Sequence, residues 1–142
     1  MRSRDVLVRL HKFKVDDVQR RLKSLQDMRA DLGRKTQDLE VMMQDEQRRA
    51  SNSDLGRLAY PTFVRSVIAR RENIQRSIDE VERQIATVQE ELEAAFRDLK
   101  KHEIEAGNAA LRERAQEERR AQSVADEGAL TQHVHKAADA GV

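Results

Sequence analysis

Ser51-Asn52-Ser53-Asp54-Leu55-Gly56-Arg57-Leu58-Ala59-Tyr60-Pro61-Thr62-Phe63 is the stretch in which the pattern of a long helix breaks. Serine, asparagine and aspartate offer hydrogen bonds to nearby backbone, and glycine and asparagine admit the left-handed conformations that end helices. Pro61, the only proline, suits the first turn of a new helix, where its missing N–H has no partner to lose. A polar break followed by a helical restart is what an antiparallel hairpin requires. The stretch therefore divides the chain into arm one over about 5–50, a bend over 51–61 and arm two over about 62–122.

Each arm carries a heptad stripe. In arm one Val8, Val15, Leu22, Arg29, Thr36 and Met43 fall at a, and His11, Val18, Leu25, Leu32 and Leu39 at d. Arg29 and Thr36 interrupt the stripe, and an arginine there can lay its stem along the seam with its head in water. Arm two places Val64, Arg71, Ile78, Ile85, Leu92 and Leu99 at a, with Val67, Ile74, Val81, Val88 and Ala95 at d. From Ile74 to Leu92 that stripe is unbroken, and beyond His102 it fades into Ala, Glu and Arg. The seam admits two chains zipped together as well as one chain folded back.

Folding back about residue 56 sets residue 5 beside residue 107 and brings His11 near His102. At about 1.5 Å per residue the arms reach roughly 70 Å and 90 Å, so arm two overhangs arm one. The expected fold is all-α: two long helices in an antiparallel coiled-coil hairpin, the second longer, forming a single domain over 1–122. Residues 123–142, with two glycines and scattered alanines, are expected to be frayed or disordered.

Composition agrees with a fold built along a line. Charged residues make up 37% of the chain and aromatic residues 3%, too little bulk for a thick core. A formal net charge of +1 gives no general argument for a nucleic-acid partner or a membrane surface. Residues 1–23 hold eight Lys or Arg against three Asp, and residues 79–105 hold nine acids against four bases. The hairpin lays these segments side by side, so the asymmetry reads as pairing of arms. Absence of cysteine excludes disulfides and suits a reducing compartment. No stretch has the roughly 18 apolar residues of a membrane span, nor does the N-terminus resemble a signal peptide, so a soluble, cytoplasmic protein is expected.

No phosphate loop, nucleophile elbow or His-Glu-x-x-His motif occurs, and the acids spread as a solvated face, so no enzyme and no cofactor are expected. His133-x-His135 lacks the further ligands of a metal site. The discordant feature lies at the bend, where Leu55, Leu58, Tyr60 and Phe63 crowd a tip with Met42 and Met43 nearby. Two readings stand: an apolar plug that closes the hairpin, or a docking patch of aromatic and methionine anchors.

The two long arms, Val15-Asp16-Asp17, Met43-Gln44-Asp45-Glu46 before the break and Tyr60-x-x-Phe63 after it resemble the FliJ family over roughly residues 5–120. FliJ proteins are small coiled-coil components of the bacterial flagellar type III export apparatus. The resemblance implies a stalk like the γ stalk of rotary ATPases, cytoplasmic and at the cytoplasmic face of the inner membrane. The end where the termini meet would promote assembly of the export ATPase hexamer. The other end would contact the membrane export gate protein, and export chaperones would be further partners.

By matching position, the resemblance assigns gate contact to Leu39, Met43, Tyr60, Phe63 and Val67. Arg70 and Ile74 stand where family members can have a small residue and a histidine. At the ATPase end it points to Arg2, Arg4, Arg9 and Lys12 with Arg112, Arg114, Arg119 and Arg120, whose contacts would be salt-sensitive. The alternatives are the equivalent stalk of a virulence-type secretion system and a generic coiled-coil scaffold or nucleic-acid clamp. Without a basic region feeding a zipper, the clamp is the weakest of them.

Overall fold

In the computed structural model, which describes residues 2–141, α1 spans Ser3–Asn52 (50 residues) and α2 spans Asp54–Ala140 (87 residues). The fold is all-α, a hairpin of two long helices with the second longer, and no strand occurs among the described residues. The chain divides into two compact units, Lys12–Arg97, and Met1–His11 together with Asp98–Val142. Met1 and Val142 lie outside the described residues. Side-chain size accounts for the division. Valine, leucine and isoleucine fill the seam of the first unit, whereas the second, beyond Val8 and Leu99, pairs its segments through His11, His102, Ala106 and Ala109, which bury less apolar surface.

Within Lys12–Arg97 the buried side chains are Val15, Val18, Leu39, Ala50, Val67, Ile78 and Val88. All but Ala50 were assigned to a or d from the sequence, and Ala50 continues the a series one heptad past Met43. Leu22, Leu25, Leu32, Ile74, Val81, Ile85 and Leu92 are half-buried on the same stripe. Each seam aliphatic contributes up to about 1.5–3 kcal/mol when fully covered, and less here because one neighbouring helix covers it only in part.

Polar groups fix the pairing. Arg29 Nε donates to Glu82 Oε1 at 3.0 Å, Arg21 Nη2 to Glu91 Oε2 at 2.7 Å, and Arg71 Nη2 to Glu40 Oε2 at 2.5 Å. Residue numbers rise on one helix as they fall on the other, so the helices are antiparallel. Arg29 lies half in the seam with its head on a carboxylate, and Thr36 Oγ1 donates to the Leu32 carbonyl at 3.2 Å. Bridges as exposed as these contribute roughly 0–1 kcal/mol each and act more on register than on stability.

The bend is much shorter than 51–61. Between the two helices Ser53 alone is non-helical, and no described residue has positive φ, so no left-handed cap is used. Ser53 is instead the N-cap of α2. Its Oγ accepts from the Gly56 N–H at 2.9 Å and its carbonyl accepts from the Arg57 N–H at 3.1 Å. Asp54 supplies an acid to the first turn, where the helix dipole favours one. At Gly56 the need is room: an added Cβ would stand 2.9 Å from the Arg49 carbonyl oxygen and 2.8 Å from Ser53 Oγ.

Pro61 does not open α2; it lies inside it, two turns from the N-terminus. Proline removes the N–H that would bond the Arg57 carbonyl and crowds that carbonyl, at a cost of about 3 kcal/mol in a helix interior. The helix persists because Tyr60, Phe63 and Val64 are half-buried and Val67 is 2% exposed, so packing on both sides of the proline holds it.

The expectation of a frayed or disordered 123–142 is likewise corrected, since α2 continues through Ala140. Alanines at 125, 129, 137, 138 and 140, with Glu127, Leu130, Gln132 and Lys136, are strong helix formers, and a helix already nucleated and packed upstream extends at little further cost.

Two substitutions near the bend should act in opposite directions. Pro61→Ala restores a backbone hydrogen bond and should raise stability by about 1–3 kcal/mol. Gly56→Ala, although alanine is the better helix former, should lower the melting temperature because its methyl meets the Arg49 carbonyl. Thermal unfolding by circular dichroism checks both signs; a more stable Gly56→Ala would mean that the close approach is not needed.

Candidate interaction surfaces

At the closed end of the Lys12–Arg97 unit, Leu55 and Leu58 project from the first turns of α2 and are 79% and 80% exposed. They lie at f and b positions of the heptad, which face away from α1. Val41, Met42 and Ile68 are exposed on the same unit. Of the residues that the family resemblance assigned to gate contact, Leu39 and Val67 are buried between the helices and offer no surface, whereas Met43, Tyr60 and Phe63 are half-buried and Ile74 half-buried beside an exposed Arg70. The two readings of the tip thus divide by residue. Tyr60, at a d position, behaves as part of the closure, and Leu55 with Leu58 forms the free apolar surface. A heptad register carried through Tyr60 from Val67 would have separated them; placing the start of α2 at Pro61 concealed it.

In the other unit, Arg4 grips Glu113 with both guanidinium nitrogens, Nη1 to Oε1 at 2.6 Å and Nη2 to Oε2 at 2.8 Å. Arg2 also pairs with Glu113. Such a fork on a carboxylate is the strong form of ion pair, and Arg4 is partly shielded from water. Of the basic residues assigned to ATPase contact, Arg2 and Arg4 are therefore brought together on Glu113, while Arg9, Arg112, Arg114, Arg119 and Arg120 point to solvent. Lys12 is exposed in the Lys12–Arg97 unit.

His11 and His102 meet as the fold-back predicts, their rings stacked with centroids 4.2 Å apart and planes 18° from parallel. Glu105 Oε2 lies 3.6 Å from His102 Nδ1. Parallel stacking cannot direct two ring nitrogens at one ion, and among the described residues no group of three or more His, Asp or Glu is placed to hold a metal.

A groove of about 500 Å³ runs beside the seam of the Lys12–Arg97 unit, lined by Leu25, Val88 and Thr87 with Arg21, Glu80, Arg83 and Gln84. Hydrogen bonds from Arg83 and Gln84, with the Arg83 charge, hold the Glu80 carboxyl below the ordinary carboxylate range. A lowered carboxylate pKa favours the folded state above the unfolded-state pKa and loses that contribution as pH falls through the folded value. Glu80 is open to water, so screening leaves the effect slight. No helix among the described residues is long and apolar enough to cross a membrane.

No protein-family model, curated protein or solved structure matches this chain.

Glu113→Gln removes the charge that both arginines share and should weaken pairing of the terminal segments by about 1 kcal/mol. Amide hydrogen exchange should then speed up at residues 3–8 with little change at 60–90. Unaltered exchange at 3–8 would show that the fork is incidental.

Proposed function

We propose that the chain is a coiled-coil stalk of the bacterial flagellar type III export apparatus, at the cytoplasmic face of the inner membrane. In this role it promotes assembly of the export ATPase hexamer, engages the membrane export gate and handles export chaperones. The observation that carries the reading is a pair of unequal helices, 50 and 87 residues long, turned about one residue. Val15-Asp16-Asp17, Met43-Gln44-Asp45-Glu46 and Tyr60-x-x-Phe63 fall on these helices in the order that resembles the FliJ family.

Two surfaces of different chemistry support it. The apolar pair Leu55 and Leu58 suits a pocket on a protein partner, because large aliphatic side chains gain affinity by leaving water. The arginines at 112, 114, 119 and 120 are exposed and suit carboxylates lining a pore. On this reading Leu55 and Leu58, with the accessible parts of Met43, Tyr60 and Phe63, make the gate contact, and the buried Leu39 and Val67 support them from within.

Adding the purified chain to the flagellar export ATPase of the same organism should raise its rate of ATP hydrolysis and its hexamer fraction. Arg112→Glu with Arg119→Glu should reduce that stimulation, and the remaining effect should fall further with added salt. Leu55→Ser with Leu58→Ser should spare stimulation and weaken capture by the gate protein. No stimulation by the unmodified chain would remove the proposal.

A further inference from the structure

Val6, Leu10 and Phe13 fall at f, c and f positions of the α1 heptad, which face away from α2. They are 50%, 46% and 63% exposed, and Phe13, one of three phenylalanines, stands where a hairpin has no use for a ring. α1 runs unbroken from Ser3 to Asn52, so at about 100° per residue the three side chains lie within roughly 60° of arc. They form a ridge about 10 Å long, with the exposed Leu7 on its flank.

Cations rim this ridge. On the same count Arg9 stands about 60° to one side of Val6 and Lys14 about 80° to the other, with Lys12 further round beyond Arg9. All three are exposed, and none makes an ion pair among the described residues. The nearby acids are mostly engaged. Asp17, which closes the ridge, lies 3.6 Å from Arg21, and Asp5 sits in the first turn, where the helix dipole offsets it. Asp16 remains on the Arg9 side, one acid against three cations. Near the turn the pattern differs, since Leu55 and Leu58 share their turns with Asp54 and Arg57, which lie 3.9 Å apart and offset each other.

Shape and charge together select the occupant. A convex ridge on one helix offers no groove for the side chains of a protein partner, whereas a bilayer surface yields around it and takes Val, Leu and Phe at the level of the headgroups. Unpaired cations on both flanks fit an anionic surface. Each Lys or Arg held there raises partitioning roughly fivefold, so three raise it about a hundredfold. Lys12 and Lys14 can lay their stems beside the ridge and reach headgroup phosphates. The balanced charge of the whole chain conceals this, because the excess is local to residues 9–14.

We propose that the outer face of α1 over 6–14 adsorbs to an anionic lipid surface, the helix lying in the plane of the membrane with Val6, Leu10 and Phe13 among the headgroups. The contact needs no export protein, so it goes beyond a stalk held at the membrane by its partners.

Flotation of the full chain with lipid vesicles provides the test. The chain should float with vesicles of phosphatidylglycerol and phosphatidylcholine but not with phosphatidylcholine alone, and added salt should release it. Leu10→Ser with Phe13→Ser should lower the partition coefficient at least about tenfold. Circular dichroism of the free chain should change little, because both side chains are already in water. Arg9→Glu with Lys14→Glu should lower partitioning by at least as much. The chain has no tryptophan, so Phe13→Trp gives a single reporter whose emission should shift to the blue on anionic vesicles. Arg112→Glu with Arg119→Glu should leave vesicle binding in place, so this proposal and the export reading fail separately. Absence of flotation with anionic vesicles overturns the proposal. So does flotation that tolerates the Leu10 and Phe13 changes and leaves the reporter unshifted, which would reduce the effect to adsorption of charge elsewhere. Protection of residues 6–14 from hydrogen exchange by the export ATPase and not by anionic vesicles would assign the face to that protein and overturn lipid binding equally.

Discussion

A stripe two residues wide per heptad, shared between two helices, is the contact on which the rest of this fold depends. Isolated helices in water owe little of their stability to propensity alone, and with no third layer each helix has only the other to bury against. The consequence is visible in the polar seam positions. Arg29 reaches Glu82, Arg71 reaches Glu40, and Thr36 returns its hydroxyl to the Leu32 carbonyl. Each polar group admitted to the stripe keeps a partner or water, and among the described residues no buried side-chain nitrogen or oxygen lacks a hydrogen bond.

The same thinness decides where unburied apolar groups appear. A globular protein can fold stray leucines under a neighbouring element, but a two-helix hairpin cannot. Leu55 and Leu58 near the turn, Val6, Leu7 and Leu10 on the outer side of α1, and Leu130 with Val134 on α2 all remain in water. Contact with other molecules is the natural use of such groups. The seam supplies the support, and positions outside it supply whatever recognition the molecule performs.

Much of this was legible in the sequence because heptad spacing translates directly into burial. Val15, Val18, Leu39, Val67, Ile78 and Val88 are found inside where counting by sevens puts them, and the meeting of His11 with His102 follows from the fold-back alone. The turn was harder to read. A proline beside a Ser, Asn, Asp and Gly cluster has the signature of a helix start, yet packing of Tyr60, Val64 and Val67 outweighs the lost hydrogen bond, and Ser53 makes the break by capping. Burial likewise removed Leu39 and Val67 from the candidate contact surface, since a position transferred by resemblance carries no information on which way its side chain faces. The continued helix past residue 122 was concealed because propensity without a buried face gives no periodic signal strong enough to distinguish order from fraying.

The single-residue link at Ser53, with the Gly56 backbone set close to Arg49, has a consequence for how such a chain can change over evolutionary time. Surface loops ordinarily absorb insertions and deletions, because their length is uncoupled from the elements they join. Here one residue added within either helix next to the link would rotate the stripe beyond it by about 100°, and every layer beyond would present its outward side chains to the partner helix. Length can vary without that penalty only in whole heptads, added to both arms at matching heights. The turn therefore acts as an index mark for the whole reading frame of the seam, and a difference of a few residues between two such chains should be found at their free ends.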